Sequence, residues 1–600
     1  MDELVARALL ASLLERLSAD ARKEVPQFEG VVSASERQAL KILLGRASSE
    51  PESPAPAVAP STEDSGDPEP QEESAAPTVR PVEAAVEASA PPIPGPRRSE
   101  AKLDETALSM QKPTDSNHVL CLDFGTAKSK AFAASVEQDE NPDPLLLELG
   151  LGRQDGDIDG SAYTVSSSVW ISDEGLVFVG SQALRHSMNS YSTGTHRRRL
   201  DSLKQQLTLA GGVQNLSSRR LEPEINPTKV DLTYEDALSV FLAYLTDLAL
   251  TELSVHGYSR YIKRRFTIPS WQPAQRAWAS AALAKCVARG QLLADTFRGR
   301  WKDGIPADEL KSMISAASAH DLELRYLLDG CDGAGGSFPS GLLEPLAAGS
   351  GRIWADNAAR NLVLVVDVGA GTTDFSLFWV VQNTVNDTRK AFPVAPGSDA
   401  IRMAGDILDD ILLNELLSQT HGSASSSMRP HIETALRLRG LRRLKEQMFV
   451  NGKLEVTLVT DQIVSIELED FLRNERVEAV GKELEKAIAR FLGVVHTSFS
   501  GATDNALVVL TGGGARLPMI KALRSRPWDI AGRRIVFKQT PEVPELITRT
   551  FDADFQREYP QLAVAIGGAL PVLDEKDTLR EWQGGSTRSA SLERYPVTGR

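Results

Sequence analysis

Residues 362–375 read Leu-Val-Leu-Val-Val-Asp-Val-Gly-Ala-Gly-Thr-Thr-Asp-Phe. The apolar run at residues 362–366 predicts a buried strand, which Asp367 ends. Gly369 and Gly371 let the backbone turn sharply, and the hydroxyl of Thr372 follows them. A turn of this kind presents backbone N–H groups and a hydroxyl to a phosphate, while its carboxylate can hold Mg²⁺ through water molecules. The stretch therefore predicts a strand and turn that bind phosphate.

A second stretch of the same kind lies about 240 residues earlier in the chain. Residues 118–129 read His-Val-Leu-Cys-Leu-Asp-Phe-Gly-Thr-Ala-Lys-Ser, in which an apolar run again precedes a carboxylate (Asp123), a glycine (Gly125) and a hydroxyl (Thr126). Two such turns that face one another would hold the β- and γ-phosphates of a nucleotide from both sides.

A third glycine turn follows the second by about 140 residues. Residues 506–518 read Ala-Leu-Val-Val-Leu-Thr-Gly-Gly-Gly-Ala-Arg-Leu-Pro, so three glycines follow a predicted strand, and Pro518 suits the first position of a helix. Glycines at that place permit a flat ligand such as adenosine to approach the backbone closely. No Gly-Lys-Ser/Thr loop occurs in the chain, so a Walker-type phosphate loop does not account for the pattern.

The three stretches, in this order, resemble the phosphate-one, phosphate-two and adenosine motifs of the actin, hexokinase and heat-shock ATPase superfamily. Four further segments are similar to the DnaK-like chaperones of the heat shock protein 70 family, and they comprise residues 267–276, 343–348, 403–409 and 563–569. The resemblance covers residues 117–571. It implies an α/β, bilobed, actin-like ATPase fold with two ribonuclease H-like lobes and a nucleotide cleft that binds ATP or ADP with Mg²⁺.

The resemblance also implies a role for each matching residue. Asp123 and Asp367 would order a hydrated Mg²⁺, and Lys204 would orient the attacking water, with Arg198 as the competing assignment. Glu344 and Asp374 would position that water or accept its proton. The γ-phosphate would be held by Thr126, Thr372, Gly125, Gly369 and Gly371. The adenosine would be held by Gly512, Gly513, Gly514, Arg516 and, from the opposite side, Lys445.

Several positions depart from the family pattern. Ala127 replaces a phosphate-binding threonine, and Lys128 replaces an aromatic residue. Around Lys445, the family has other residue types where this chain has Arg442, Glu446 and Phe449. The residues expected to bind phosphate therefore match the family pattern more completely than the residues expected to bind adenine.

Composition narrows the functional class. The net charge of −15 argues against a nucleic-acid-binding protein. No apolar run reaches the roughly 18 residues that a membrane helix requires, so no membrane association is predicted. The three cysteines have no metal-binding spacing and cannot all pair, which favours a reducing cytoplasm.

The chain is predicted to have several parts besides the ATPase domain. Residues 1–46 show helical periodicity and predict a small α-helical module. Residues 47–116 predict a disordered acidic linker, because the stretch 47–115 holds 14 acidic against 5 basic residues and 13 of the 33 prolines. Lobe I is predicted at about 117–360, with an inserted surface element at 290–340. Lobe II is predicted at about 361–550, a closing helix that returns to lobe I at about 551–571, and a polar tail at 572–600.

These observations favour an ATP-binding, slowly hydrolysing, chaperone-like switch that couples nucleotide state to a protein partner. The partner, a client or a cochaperone, would be recruited by the N-terminal helices or by the insert, because no peptide-binding domain follows residue 571. An actin-like scaffold protein, a small-molecule kinase of the same superfamily and a degenerate pseudo-ATPase are the alternatives, since a fold by itself does not decide function.

Overall fold

The computed structural model describes residues 102–135, 144–156, 161–192, 197–209, 216–271, 273–331, 338–353, 360–383, 388–420, 424–496 and 506–570. All of them belong to one compact unit that begins at Pro96. The predicted helical module at 1–46, the linker up to residue 101 and the tail at 572–600 lie outside the described residues.

The described part of the chain contains both strands and helices, which follow one another singly or in short groups. The strands are β1 (Asp115–Asp123), β2 (Lys128–Ser135), β3 (Leu146–Leu147), β4 (Val165–Ser166), β5 (Val169–Ile171), β6 (Leu176–Val179), β7 (Ile262–Ile268), β8 (Ile305–Pro306), β9 (Leu342–Leu343), β10 (Arg360–Val368), β11 (Thr373–Asn383), β12 (Thr388–Ile401), β13 (Lys453–Thr457), β14 (Ile463–Glu467), β15 (Ala506–Thr511), β16 (Trp528–Ile530), β17 (Arg533–Ile535) and β18 (Lys538–Gln539). The helices are α1 (Thr106–Met110), α2 (Leu151–Asp155), α3 (Gly180–Ser192), α4 (Leu203–Leu209), α5 (Tyr234–Val255), α6 (Pro273–Thr296), α7 (Ala307–Ser318), α8 (Glu344–Ile353), α9 (Gly405–Ser418), α10 (Ala424–Arg439), α11 (Leu441–Asn451), α12 (Leu468–Arg473), α13 (Glu475–Val494), α14 (Pro518–Lys521), α15 (Glu545–Thr550) and α16 (Ala553–Ala569).

Two mixed sheets have the same connectivity around their Asp-ended strands. The first has the order β3-β2-β1-β7-β9, with β4 also paired to β2, and the second has the order β12-β11-β10-β15-β18. In each sheet, the strand that leads to an Asp-Gly turn pairs antiparallel with the next strand and parallel with a later one. The carboxyl ends of β1 and β10 therefore carry equivalent turns.

Alternating side chains of the central strands enter different cores, as the two-residue period of a strand requires. In β10, Leu362, Leu364 and Val366 belong to one apolar cluster with α9 and α13. Val363 and Val365 belong to another, which includes residues of α8 and α16. Because both faces of β10 are covered, the apolar run at this strand is nearly continuous.

Helix α5 lies in the first core, the apolar cluster that also contains Leu120 and Leu122 of β1. A capping box begins it, in which Thr233 Oγ1 accepts a hydrogen bond from the Asp236 N–H and the Asp236 carboxylate accepts one from the Thr233 N–H. By length and composition, α5 could cross a membrane, but most of it is buried inside this fold, which is equally typical of a core helix.

The segment 290–340, which the sequence predicts to be an inserted surface element, has one side that is buried in an apolar core. Helix α7 buries Leu310 and Ile314, and the 3-10 turn that follows buries Leu324 and Leu327. Helical spacing of those side chains creates an apolar side of this segment, and that side packs on the first core.

The folded part begins earlier than residue 117. Within the predicted linker, Leu103 and Ala107 are buried, and the Tyr326 hydroxyl donates a hydrogen bond of 2.6 Å to the Ala107 carbonyl. The acidic, proline-rich composition of the linker thus does not describe its last residues, which pack as helix α1 against α6.

Candidate functional site

The three glycine turns open into one pocket of about 530 Å³. A cavity of this size can take a ligand as large as a nucleotide. It is lined by the predicted residues Asp123, Gly125, Thr126, Lys204, Glu344, Asp367, Gly369, Thr372, Asp374, Lys445, Gly512, Gly513, Gly514 and Arg516. The structure therefore brings together turns that are separated by hundreds of residues in the sequence.

Gly371 is the predicted site residue that does not line the pocket. It lies at the contact between the first two turns, because a Cβ placed on it would lie 3.9 Å from Thr126 Cγ2 and 2.9 Å from Gln205 Nε2. A Cβ here would make an ordinary van der Waals contact with Thr126, and the end of the Gln205 side chain would have to shift to admit it.

Asp123 is almost completely buried at the end of β1, and protein donors bind both of its oxygens. Lys130 Nζ lies 2.8 Å from Oδ2, and Thr267 Oγ1 donates a hydrogen bond of 2.8 Å to Oδ1. Burial by itself would raise the pKa of this carboxyl, but the charges of Lys130 and Lys204, with these hydrogen bonds, hold the pKa below its ordinary value. Asp123 is therefore an anion at neutral pH.

Lys204 on α4 and Glu344 at the start of α8 form a buried ion pair. Burial, together with the negative charges of Asp123 and Asp367, raises the pKa of Glu344 to about 7, although Lys204 works against the shift. Arg198, the competing assignment, does not line the pocket, and its backbone N–H donates to the Glu224 carbonyl.

Asp367 and Asp374 lie opposite one another on β10 and β11. Burial and the neighbouring charge of Asp374 raise the pKa of Asp367 to about 7. Burial and the charge of Glu344 raise the pKa of Asp374 to about 6, although the Thr372 hydroxyl donates a hydrogen bond of 2.9 Å to its Oδ2. These carboxyl groups can therefore take up or release protons near neutral pH.

The glycines of the turns have different steric requirements. At Gly512, φ is +83° and a Cβ would lie 2.4 Å from Asp367 Oδ1, while a Cβ at Gly514 would lie 2.4 Å from Val368 Cγ1. A Cβ at Gly513 would meet no atom within 4 Å. The fold itself therefore requires glycine at 512 and 514, whereas Gly513 leaves open space at the pocket.

Lys445 lines the pocket from α11, but its ammonium group already contacts two residues of helix α9. Its Nζ lies 2.7 Å from Asp409 Oδ1 and donates a hydrogen bond of 2.8 Å to the Gly405 carbonyl. On the same helix, Glu446 forms an ion pair of 2.9 Å with Lys128, a residue of β2. Lys128 and Glu446 thus join the first glycine turn to helix α11 across the pocket.

Sequence reasoning missed Lys130. It faces Asp123 in the β1–β2 register and lines the pocket. The signal for it was available, because Lys128 and Lys130 are charged residues at alternate positions of a strand whose following residues are apolar and buried. Such residues point to the same side of a strand, and here that side is the pocket.

The residues fit a magnesium nucleotide in their donor chemistry. Carboxylates are the ligands that Mg²⁺ prefers, and the ion usually retains several waters and binds phosphate oxygens. Among the described residues, no group of three His, Cys, Asp or Glu side chains is arranged to hold a metal ion. Phosphate and water would therefore have to complete the coordination that Asp123 and Asp367 begin.

The mixed α/β architecture and this pocket are compatible with an α/β ATPase. No protein-family model matches the chain. It is 26% identical over 229 residues to a chaperone protein HscA homolog of Burkholderia thailandensis, an alignment that covers 38% of this chain and 35% of that protein. The corresponding values are 27% over 233 residues, 38% and 35% for the homolog of Burkholderia pseudomallei, and 26% over 229 residues, 38% and 34% for that of Acidovorax ebreus.

The alignments thus span about a third of the length of these relatives. The likeness is distant and partial. It supports a relation to the heat shock protein 70-like ATPases and suggests a nucleotide-dependent, chaperone-like function.

Proposed function

We propose that this chain is an ATP-binding, slowly hydrolysing, chaperone-like switch with a bilobed, actin-like ATPase domain. The observation that carries the proposal is the single pocket in which two Asp-Gly turns, a glycine-rich third turn and a buried lysine–glutamate pair meet. A magnesium nucleotide needs groups that bind its phosphates, its metal ion and its adenosine. This pocket contains candidate residues for all three.

In this proposal, the first two turns hold the phosphates. Backbone N–H groups and the hydroxyls of Thr126 and Thr372 would donate to phosphate oxygens, as in other turns that bind anions. Asp123 and Asp367 would hold Mg²⁺ through water, and the ion would neutralise charge on the phosphates. Gly513 and Arg516 would lie beside the adenosine.

Lys204, Glu344 and Asp374 would act on the attacking water. Lys204 is fixed by its ion pair with Glu344, so its ammonium group is held in place before nucleotide binds. Glu344, whose pKa is raised to about 7, can exist as an unprotonated base at neutral pH and still hold a proton once it has accepted one. Asp374, with a pKa of about 6, is the second candidate for this role.

We further propose that nucleotide state is transmitted to a protein partner, a client or a cochaperone, in the cytoplasm. Closure of two lobes on a nucleotide is a common way to convert binding into a signal. The N-terminal residues 1–46 and the segment 290–340 are the proposed recruitment elements.

Titration calorimetry with ATP, ADP and GTP in the presence of Mg²⁺ tests the proposal. We expect micromolar or tighter binding of ATP and ADP, together with a rise in the melting temperature, because a ligand that binds only the folded state stabilises it. Absence of heat with all three nucleotides, together with an unchanged melting temperature, would contradict the proposed nucleotide site. Binding without hydrolysis would favour a pseudo-ATPase.

A further inference from the structure

Lys130 is a half-buried cation that has no part in the roles proposed above. It lies on β2 beside the first glycine turn, and its side chain is 14% exposed. Asp123, its partner, is the residue at which a hydrated Mg²⁺ is proposed to bind. The ammonium group therefore occupies one oxygen of a carboxylate that the metal's water shell also needs.

Other charged side chains act on this pair. Lys130 interacts with Asp367 and Glu344 as well as with Asp123, and Lys204 interacts with the same three carboxyl groups. A polyphosphate adds further negative charge. Lys130 can approach it without leaving a bare carboxylate, because Thr267 still donates to Asp123 Oδ1 and the metal's waters can replace the ammonium at Oδ2.

We propose that Lys130 is a phosphate-binding residue that exchanges partners, holding Asp123 when the pocket is empty and the polyphosphate when nucleotide is bound. This inference rests on the proposed nucleotide site. It has a specific consequence, since an ammonium group supplied by the protein takes over part of the charge neutralisation that Mg²⁺ provides. Nucleotide binding should therefore depend less on Mg²⁺ in this chain than it would without Lys130.

Lys204 does not serve the same purpose. Its ammonium group is paired with Glu344, and among the described residues no other hydrogen bond is recorded for that carboxylate. Moving Lys204 to a phosphate would leave Glu344 buried without its counter-ion, which costs free energy. Lys130 can leave its partner Asp123, because Thr267 continues to donate a hydrogen bond to that carboxylate.

Calorimetry on the full chain with ADP and ATP, each in MgCl₂ and in EDTA, tests the inference. Lys130→Met removes the charge, and Lys130→Gln removes it while retaining an N–H donor for Asp123, so that at least one variant should fold. We expect each variant to weaken binding in EDTA about tenfold or more, the scale of one charge-assisted hydrogen bond. In MgCl₂ we expect a loss of about threefold or less, because the ion compensates for the missing charge.

Lys128→Met is the matched control. Lys128 lies two residues earlier on β2, also lines the pocket and also has a carboxylate partner, Glu446, but it does not contact Asp123. This variant should change the affinities in EDTA and MgCl₂ by the same factor. The inference is overturned if the Lys130 variants bind in both buffers as the Lys128 variant does. If the unmodified chain binds neither nucleotide, the proposed function itself falls, which is a different result.

Discussion

At the scale of single residues, the charged side chains of the pocket form ion pairs with one another. Lys204 pairs with Glu344, Lys130 with Asp123, and Lys445 with Asp409. Removing one partner of a buried pair leaves an uncompensated charge, so substitutions here affect both chemistry and stability. Tests of catalytic role therefore need variants whose binding is measured separately from turnover.

We expect Lys204→Met to lower ATP turnover about 10²-fold or more while nucleotide affinity changes little, because its proposed role is to orient water rather than to hold the nucleotide. Single-turnover hydrolysis and calorimetry measure the two effects. Arg198→Met is the control and should retain turnover, since Arg198 does not line the pocket. The reverse pattern would assign the water-orienting role to Arg198.

The pH dependence of hydrolysis follows from Glu344. A general base must be unprotonated, and the pKa of Glu344 is raised to about 7 chiefly by burial, so turnover should increase with pH through about 7 and then level off. Glu344→Gln should lower turnover and abolish that rise. A rise that persists in this variant and disappears in Asp374→Asn would assign the base to Asp374.

At the scale of elements, the carboxyl ends of β10 and β15 meet closely because they are parallel neighbours. Asp367 pairs with Thr511 in this register, which places the second and third glycine turns side by side. Close packing of the two turns requires glycine at 512 and 514, whereas Gly513 faces open space that a ligand can occupy. The packing role and the proposed ligand-binding role of these glycines can therefore be tested separately.

We expect Gly514→Ala to destabilise the protein by about 1–3 kcal/mol, because the new Cβ would overlap Val368. Gly513→Ala should leave the melting temperature unchanged but weaken nucleotide binding, since its Cβ enters open space where adenosine is proposed to lie. Thermal unfolding and calorimetry of both variants provide the test. Unchanged ATP affinity in Gly513→Ala would remove adenosine from this turn.

At the scale of the whole molecule, the folded unit extends into the residues before β1. The Asp104 N–H donates a hydrogen bond of 2.9 Å to Thr296 Oγ1, and Leu103 and Ala107 are buried. A truncation intended to remove only the acidic linker must therefore end before these residues.

Deletion of residues 1–101 should leave basal ATP turnover within about twofold while it abolishes partner recruitment or self-association, because a polar, proline-rich tether does not pack on a folded domain. Deletion of residues 1–115 should additionally lower the melting temperature, since it removes the packed residues of α1. Turnover, sedimentation and thermal unfolding compare the two truncations. A large change in turnover after the shorter deletion would make the N-terminal segment an internal regulator.

Local sequence determined the strands and turns that matter here. Apolar runs ending in Asp123, Asp367 and Thr511 predict buried strands, and glycines after them predict sharp turns, because both signals depend only on neighbouring residues. The tertiary structure alone decided which charges meet. Lys130 acquires its partner through strand register, Lys204 rather than Arg198 enters the pocket through helix α4, and the apolar side of α7 joins the core. Pairing of this kind depends on contacts between distant segments, which periodicity and local propensity do not encode.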